Sequence, residues 1–131
     1  MFIAFEDLQV GQLYERPYLA QLWDCKSHAA ISRGIVTPAN QKIIVLFVTK
    51  EKQRDYTQYK DDFTGTVLQM EGETSGRTDA RLLASSSSSD EIHLFYRPRH
   101  HQPFRYCGPV RLLRHETRVD GSTHFEFETE R

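Results

Sequence analysis

The strongest hydrophobic pattern in the chain is the run KIIVLFVT at residues 42–49. The run is continuously apolar and rich in β-branched residues, yet it is too short for a typical helix. It therefore predicts a central strand that is covered on both faces. A second apolar run, IHLFY at residues 92–96, predicts another strand and leads into a segment rich in arginine, histidine and aromatic residues. The two runs indicate that β-strands form the frame of the molecule.

Weaker patterns predict the remaining elements. Residues 5–22 favour short helices around Gly11, with Pro17 in the first turn of the second helix, where proline is tolerated. Further short elements are predicted as strands at 29–36, 66–70 and 104–107, the last ended by Gly108 and Pro109, a helical turn at 78–84, and a surface loop over the serines at 85–89.

The C-terminal pattern predicts a hairpin. Residues 110–115 and 123–128 form its two strands, with the turn at Asp120 and Gly121. The second strand overlaps the sequence HFEFETE at residues 124–130. Its alternation of apolar and polar residues is typical of a half-buried edge strand.

Together these patterns predict an α+β, mainly β fold of six or seven strands with one or two short helices. No βαβ alternation recurs, so a small bent sheet or β-barrel is favoured over a doubly wound sheet. At 131 residues, the chain is expected to form a single domain over residues 1–131.

The charge is unevenly distributed, although the net charge is only −1. Between Arg97 and Arg118 the sequence holds six arginines and one acidic residue, Glu116. A concentration of positive charge on one part of a neutral protein is typical of a phosphate-binding surface. The candidate contacts to a nucleic-acid backbone are Arg97, Arg99, His100, His101, Arg105 and Arg111. An ordinary solvated charged face remains the alternative.

The polar segment EGETSGRTD at residues 71–79 is the candidate for base recognition. Glycine allows close approach of a ligand, and the polar side chains offer hydrogen bonds to base edges. A base extruded from the helix also needs aromatic side chains to stack on. The candidates for base contact are Tyr59, Glu71, Gly72, Thr74, Ser75, Arg77, Asp79 and Tyr96. An ordinary polar turn in front of core aromatics is the alternative.

Signals for other chemistry are weak. Cys25 and Cys107 are too few for a disulfide framework and are expected to be reduced. His93 lies within a predicted strand, where a structural role is the commoner one. No signature of a metalloenzyme or nuclease is present, so we expect no enzyme, no cofactor and no metal. Without a signal peptide or an apolar span, we expect a cytoplasmic protein with no membrane contact.

An ordered set of residues resembles a known family. The set comprises Gly11-x-x-Tyr14-x-Arg16, Trp23, Gly34, Phe47-Val48-Thr49-x-x-Lys52, Tyr59-x-Asp61-x-Phe63, Ile92-His93-Leu94-Phe95-x-Arg97 and Pro103-Phe104-x-Tyr106-x-Gly108. It resembles a domain of unknown function at the C-terminus of restriction-associated superfamily II (DEAD/DEAH-type) helicases, also found beside HNH nucleases. The resemblance covers about residues 11–112, which leaves 113–131 as the terminal hairpin.

This resemblance implies a non-catalytic domain that binds modified or foreign DNA in a restriction or phage-defence setting. By analogy we expect a PUA-like or EVE-like barrel. Many helicase-linked copies carry a tryptophan after the Tyr-x-Asp-x-Phe motif. Here that segment begins Met70-Glu71-Gly72, so the role of that tryptophan cannot be transferred.

Two other functions remain open. The protein could be an interaction subunit of a nuclease or helicase complex, pairing through the HFEFETE strand with a partner strand. Less favoured is a metal-dependent nuclease that uses Asp61, Asp62, Glu71 and Glu73.

Overall fold

The sheet is built around the two apolar runs of the sequence. The computed structural model describes residues 1–51, 62–64, 67–71, 79–117, 119 and 123–129. The strands are β1 (Leu13–Tyr14), β2 (Ile35–Val36), β3 (Ile43–Glu51), β4 (Asp62–Thr64), β5 (Val67–Glu71), β6 (Glu91–Arg99), β7 (Phe104–Thr117) and β8 (Thr123–Thr129). The α-helices are α1 (Arg16–Leu22) and α2 (Asp79–Leu83), and 3₁₀ helices lie at His28–Ile31 and Ala84–Ser86.

The strands form one sheet in the order β2-β3-β6-β7-β8-β5-β4, and β1 pairs with the start of β7. Strands β3 and β6 run parallel, whereas the other pairs of described strands are antiparallel. The connection from β3 to β6 passes through β4, β5 and α2. These observations confirm the mainly β architecture with two short α-helices.

Strand β3 is central and buried on both faces, as its continuous apolar run predicts. Val45 and Phe47 point into one hydrophobic cluster with Phe95 of β6. Ile44 and Leu46 point into a second cluster that includes Phe125 and Phe127 of β8. Neighbouring residues of a strand point to opposite faces, so β3 and β6 supply both cores at once.

The first core is covered by the N-terminal segment and α1. Pro17 lies in the first turn of α1, where its missing N–H removes no helical hydrogen bond. Leu19 and Ala20 are buried, and the indole N–H of Trp23 donates to the carbonyl of Ala4 at 2.8 Å. The N-terminal segment is thereby fixed against the sheet. Among the described residues, neither α-helix is long and apolar enough to cross a membrane.

The sequence predictions need correction in three respects, and the first is that 3₁₀ helices replace part of a predicted strand and part of a predicted loop. The strand expected at residues 29–36 is the 3₁₀ helix His28–Ile31 followed by the two-residue strand β2. Its alternation was weak, and the first core buries Ile31 from helical geometry instead. Part of the serine-rich loop, at Ala84–Ser86, is also a 3₁₀ helix.

The second correction concerns β7, which continues through Gly108 and Pro109 rather than ending there. The register along β6 shifts between Leu94 and Phe95, so Leu94 pairs with Gly108 and Phe95 with Tyr106. The extra residue makes a β-bulge, and Gly108 has a φ of 84°, in the left-handed region. Bulges accept proline within a sheet because they interrupt the ladder of hydrogen bonds.

The third correction concerns β8, which is not an edge strand. It pairs with β7 on one side and with β5 on the other. Phe125 and Phe127 alternate into the second core, while Glu126 and Glu128 face outward. The predicted hairpin of β7 and β8 is confirmed, although its turn lies outside the described residues.

Candidate nucleic-acid interface

The arginine- and histidine-rich segment forms the turn between β6 and β7. We call residues 97–105, together with Arg16 at the start of α1, the basic tip. Tyr96 pairs with Arg105 at the base of this turn, and β1 adds Leu13 and Tyr14 along the outer side of β7. His101 has a φ of 70°, the left-handed conformation that allows the chain to reverse. The tip is therefore held by three strands rather than projecting as an unsupported loop.

Arg97 is the internal brace of the basic tip. Arg97 is only 8% exposed, and its Nε donates a hydrogen bond to Thr49 Oγ1 at 2.8 Å. Nη1 donates to the carbonyl of Gln102 at 3.1 Å, and the guanidinium carbon lies 4.2 Å from the centre of the Phe104 ring. Arg97 thus ties β3 to the turn, and several of its donors are used inside the protein.

Arg16 is a second arginine at the same place, and it was not among the predicted site residues. Its guanidinium carbon lies 4.7 Å from the centre of Phe47 and 4.9 Å from that of Phe104. One donor reaches the carbonyl of Arg33 at 3.5 Å. Its buried Nε has no hydrogen-bond partner among the described residues. Phe104 therefore has the guanidinium groups of both Arg16 and Arg97 against its ring.

The two guanidinium groups raise the local positive potential. Burial, and then the charge of Arg97, lowers the pKa of Arg16 to about 10, so Arg16 remains charged at neutral pH. Burial also lowers the pKa of Arg97. Desolvation, His101 and the two arginines lower the pKa of His100, whose Nδ1 lies 3.4 Å from Nη2 of Arg97.

Arg16 and Arg97 differ in their ion pairing from the arginines of the β7–β8 hairpin. Among the described residues, no carboxylate forms an ion pair with Arg16 or Arg97. By contrast, Arg111 pairs with Glu128 at 2.8 Å and Arg114 with Glu126 at 3.4 Å. Like charges repel when they are brought together out of water, so this arrangement would be stabilised by an anionic ligand.

The predicted backbone contacts are divided between two faces of the sheet. Arg97 lies on the face of the first core, with Phe104. Tyr96 packs against the second core, and Arg105 is its cross-strand partner. Arg99, His101 and Arg105 are exposed, and His100 is half-buried. The basic tip therefore presents positive charge along the rim where the two faces meet.

Arg111 lies apart from the basic tip. It follows Arg105 by six positions along β7, which corresponds to about 20 Å of strand. Its charge is paired with Glu128, on the neighbouring strand β8. Arg111 also borders a cavity of about 530 Å³ near the start of β6, which is lined by Ser85, Asp90, Glu91, Ile92, Pro109, Val110, Arg111 and Leu112.

The described ends of the predicted base-recognition segment are distant from the basic tip. Glu71 ends β5 opposite His124 of β8, near the far end of β7. Helix α2, which starts at Asp79, is tied to the start of β3 and β6, since Arg81 donates to the carbonyl of Gln41 and to Asp90, each at 3.0 Å. The basic tip stands at the opposite end of β6. The predicted residues Tyr59, Gly72, Thr74, Ser75 and Arg77 lie outside the described residues, as do Asp61 and Glu73.

His93 and the cysteines have structural environments. His93 is buried, with Nδ1 at 2.8 Å from the Tyr106 hydroxyl, Nε2 at 3.1 Å from Glu91 Oε1, and its ring stacked on Phe5 at 3.6 Å. Burial raises the pKa of Tyr106 to about 12 and that of the half-buried Cys107 to about 11. Both cysteines are free, as expected. In the described part of the chain, no three His, Cys, Asp or Glu side chains are placed to hold a metal ion together.

The fold brings together part of the residue set that carries the sequence resemblance. Several that are far apart in the chain pack together in or beside the first core, namely Tyr14, Arg16, Trp23, Phe47, Phe95, Phe104 and Tyr106. Thr49 and Arg97 of the same set are bonded to each other. Arg16 stands in the first motif of that set, so the resemblance contained the signal for this missed residue.

Comparison with known proteins identifies the fold. No protein-family model and no curated protein sequence matches the chain significantly. Among solved structures, the chain is similar to the SRA domain of SUVH5 in complex with hemimethylated CG DNA, with a TM-score of 0.65 and 14% identity over 98% of this chain and 92% of that one. It is also similar to the SUVH5 SRA domain bound to fully hydroxymethylated CG DNA, with a TM-score of 0.63 and 13% identity over 98% and 93% of the two chains.

A third similar structure is the SUVH5 SRA domain in complex with methylated CHH DNA, with a TM-score of 0.61 and 14% identity over 98% of this chain and 92% of that one. Likeness at this level of identity establishes architecture and leaves function to be argued separately. The chain has the mainly β, PUA-like fold of SRA domains.

Proposed function

We propose that this chain is a non-catalytic nucleic-acid-binding domain that recognises modified DNA. The observation that carries the proposal is the pair of guanidinium groups, Arg16 and Arg97, held against Phe104 without a carboxylate partner among the described residues. A protein gains nothing in stability by bringing two cations together in a partly desolvated place. The arrangement is favourable when a phosphate binds beside it.

The fold supports the part of the proposal that concerns modified DNA. The SRA domains that share it are found in complexes with methylated or hydroxymethylated DNA. Since fold alone does not fix function, the proposal rests on the two observations together. Each would be weaker separately: basic patches occur on many proteins, and one fold serves many functions.

The predicted residues take different roles in this proposal. Arg99, His101 and Arg105 are exposed and contact phosphates directly, together with His100. Arg97 acts mainly by positioning the other residues, because its hydrogen bonds to Thr49 and Gln102 hold the turn in place. Arg111 contributes little, because its ion pair with Glu128 cancels its charge.

Base recognition is proposed for the segment at residues 71–79. We propose Tyr59, Glu71, Gly72, Thr74, Ser75, Arg77 and Asp79 for it, with Tyr96 at the rim of the second core. Since the described ends of this segment lie at the far end of β6 from the basic tip, the two contact regions would meet different parts of one DNA duplex. An interface of this extent is ordinary for a DNA-binding domain.

We also propose a restriction or phage-defence setting, with a helicase or nuclease as partner, on the basis of the sequence resemblance. The alternative of an interaction subunit pairing through β8 has lost its structural support. Both edges of β8 are already occupied, by β5 and β7, so no hydrogen-bonding edge is left for a partner strand.

The experiment compares arginines in two settings. The double variant Arg99→Ala/Arg105→Ala removes two exposed charges of the basic tip. Arg114→Ala removes an exposed charge on β7 that is paired with Glu126 of the neighbouring strand β8. Affinity for a methylated duplex is measured by fluorescence anisotropy at several salt concentrations. The tip variant should lower the slope of log affinity against log salt by about 1.8, or about 0.9 per phosphate contact. The Arg114 variant should leave the slope unchanged. Equal slopes in all three proteins would overturn the proposal.

A further inference from the structure

An exposed aromatic surface adjoins the basic tip. Tyr18 of α1 is 50% exposed, and its ring stacks on that of Tyr14 with centres 5.9 Å apart and planes 20° from parallel. Tyr14 in turn is the cross-strand partner of Phe104, the ring that carries both arginines. Neither tyrosine is among the contacts predicted from the sequence.

The lower ring of this pair is fixed. The Tyr14 hydroxyl accepts a hydrogen bond from the backbone N–H of Gln9 at 2.9 Å, and its ring is half-buried against the first core. Tyr18 therefore rests on a rigid support. An exposed ring that is already held in one orientation loses little conformational entropy when a flat ligand stacks on it.

We infer that Tyr18 is a stacking surface for a nucleobase of the strand whose phosphates bind the basic tip. The inference rests on the proposed function and extends it to a residue and a contact type that the function does not require. The charge nearby indicates the kind of ligand. Arg16 and Arg97, which contact the cross-strand partner of Tyr14, have no carboxylate partner among the described residues, and this suits a polyanion. Aromatic side chains beside a cationic track are the usual means of holding bases without reading their sequence.

The test separates stacking from charge. Tyr18→Ala removes the ring, whereas Tyr18→Phe keeps the ring and removes only the hydroxyl. Leu13→Ala is the matched control, since Leu13 is 57% exposed on the adjoining strand but offers no ring to stack on. Affinity for a methylated duplex and for its single strand is measured at several salt concentrations. A second readout is the fluorescence of 2-aminopurine placed at successive positions of the oligonucleotide, because stacking on an aromatic ring quenches it.

Tyr18→Ala should weaken binding about 5- to 150-fold, the range for loss of one stacked base, with an unchanged salt slope. It should also restore the fluorescence at one 2-aminopurine position. Tyr18→Phe and Leu13→Ala should behave like the wild type. If the wild type binds and Tyr18→Ala binds equally well, or if Tyr18→Phe is as weak as Tyr18→Ala, the inference fails and the proposed function stands. If the wild type binds neither oligonucleotide, both fail.

Discussion

At the scale of single residues, position in the fold decides what each arginine can do. Arg97, Arg99 and Arg105 are close in sequence and carry the same charge. Arg97 is nevertheless buried and bonded to Thr49, whereas Arg99 and Arg105 are exposed. The sequence predicted the concentration of positive charge but could not rank its members, because burial of Arg97 depends on the distant residues Thr49 and Phe104.

The first prediction separates these roles by stability. Arg97→Ala should lower the free energy of unfolding by about 1–3 kcal/mol, because Thr49 and the Gln102 carbonyl lose a charged donor. Relief of the repulsion from Arg16 offsets part of this loss. Arg99→Ala, at an exposed position, should change it by less than about 0.5 kcal/mol. Urea unfolding followed by circular dichroism measures both, and equal small effects would contradict the bracing role of Arg97.

The second prediction concerns pH. Desolvation and the neighbouring cations lower the pKa of His100 from its ordinary value of 6.5, so the unfolded chain binds a proton at a higher pH than the folded chain does. Because the unfolded state then holds more protons, this histidine makes stability fall as pH decreases from neutrality through the ordinary value and down to the lowered one.

His100→Gln should therefore reduce the loss of stability between about pH 7.5 and about pH 5.5, where histidine titrates. Thermal unfolding of both proteins at the two pH values gives the comparison. An identical pH dependence in the variant would show that His100 does not contribute. Bound phosphate should reverse the effect, since an anion favours the protonated imidazole and affinity then rises as pH falls.

At the scale of elements, β7 shows both the reach and the limit of the sequence pattern. The apolar runs of β3 and β6 predicted those strands correctly. A strand buried on both faces has apolar residues at successive positions, so its own sequence is enough to identify it. The Gly108-Pro109 pair suggested an end to β7, yet neighbouring strands determine whether such a pair ends a strand or forms a bulge within it. For the same reason β8 was predicted as an edge strand, since alternation records one buried face and says nothing about hydrogen-bonding neighbours.

The third prediction tests the bulge. Gly108→Ala should lower the free energy of unfolding by about 1–2 kcal/mol or more, because the left-handed conformation costs an alanine about that much. Its Cβ would also lie 3.0 Å from a methyl carbon of Val10. Gly34→Ala is the matched control, since its Cβ would meet only the Phe47 carbonyl at 3.6 Å and its φ is not positive. Adding Val10→Ala to Gly108→Ala should restore the part of the unfolding free energy that the contact with Val10 costs. The part due to backbone strain should remain lost. A neutral Gly108→Ala would contradict this account of β7.

At the scale of the whole molecule, charge separation explains how a protein of net charge −1 can present a cationic site. Arg16 and Arg97 of the basic tip have no carboxylate ion-pair partner in the described part of the chain, while Arg111 and Arg114 of the β7–β8 hairpin pair with Glu128 and Glu126. Composition predicted a basic segment. It could not predict that Arg16 of α1 joins that segment, because only the packing of α1 against the first core brings the two together.

The most direct test of the central claim is the affinity of the domain for four matched duplexes at two salt concentrations. The duplexes carry unmodified, methylated, hydroxymethylated or glucosylated bases in one sequence. The domain should bind at least one modified duplex more tightly than the unmodified one. With about four phosphates contacted, binding should weaken about 150-fold between about 50 and about 200 mM salt. Binding that is independent of salt, or equal for all four duplexes, would contradict a modified-DNA reader that acts through the basic tip.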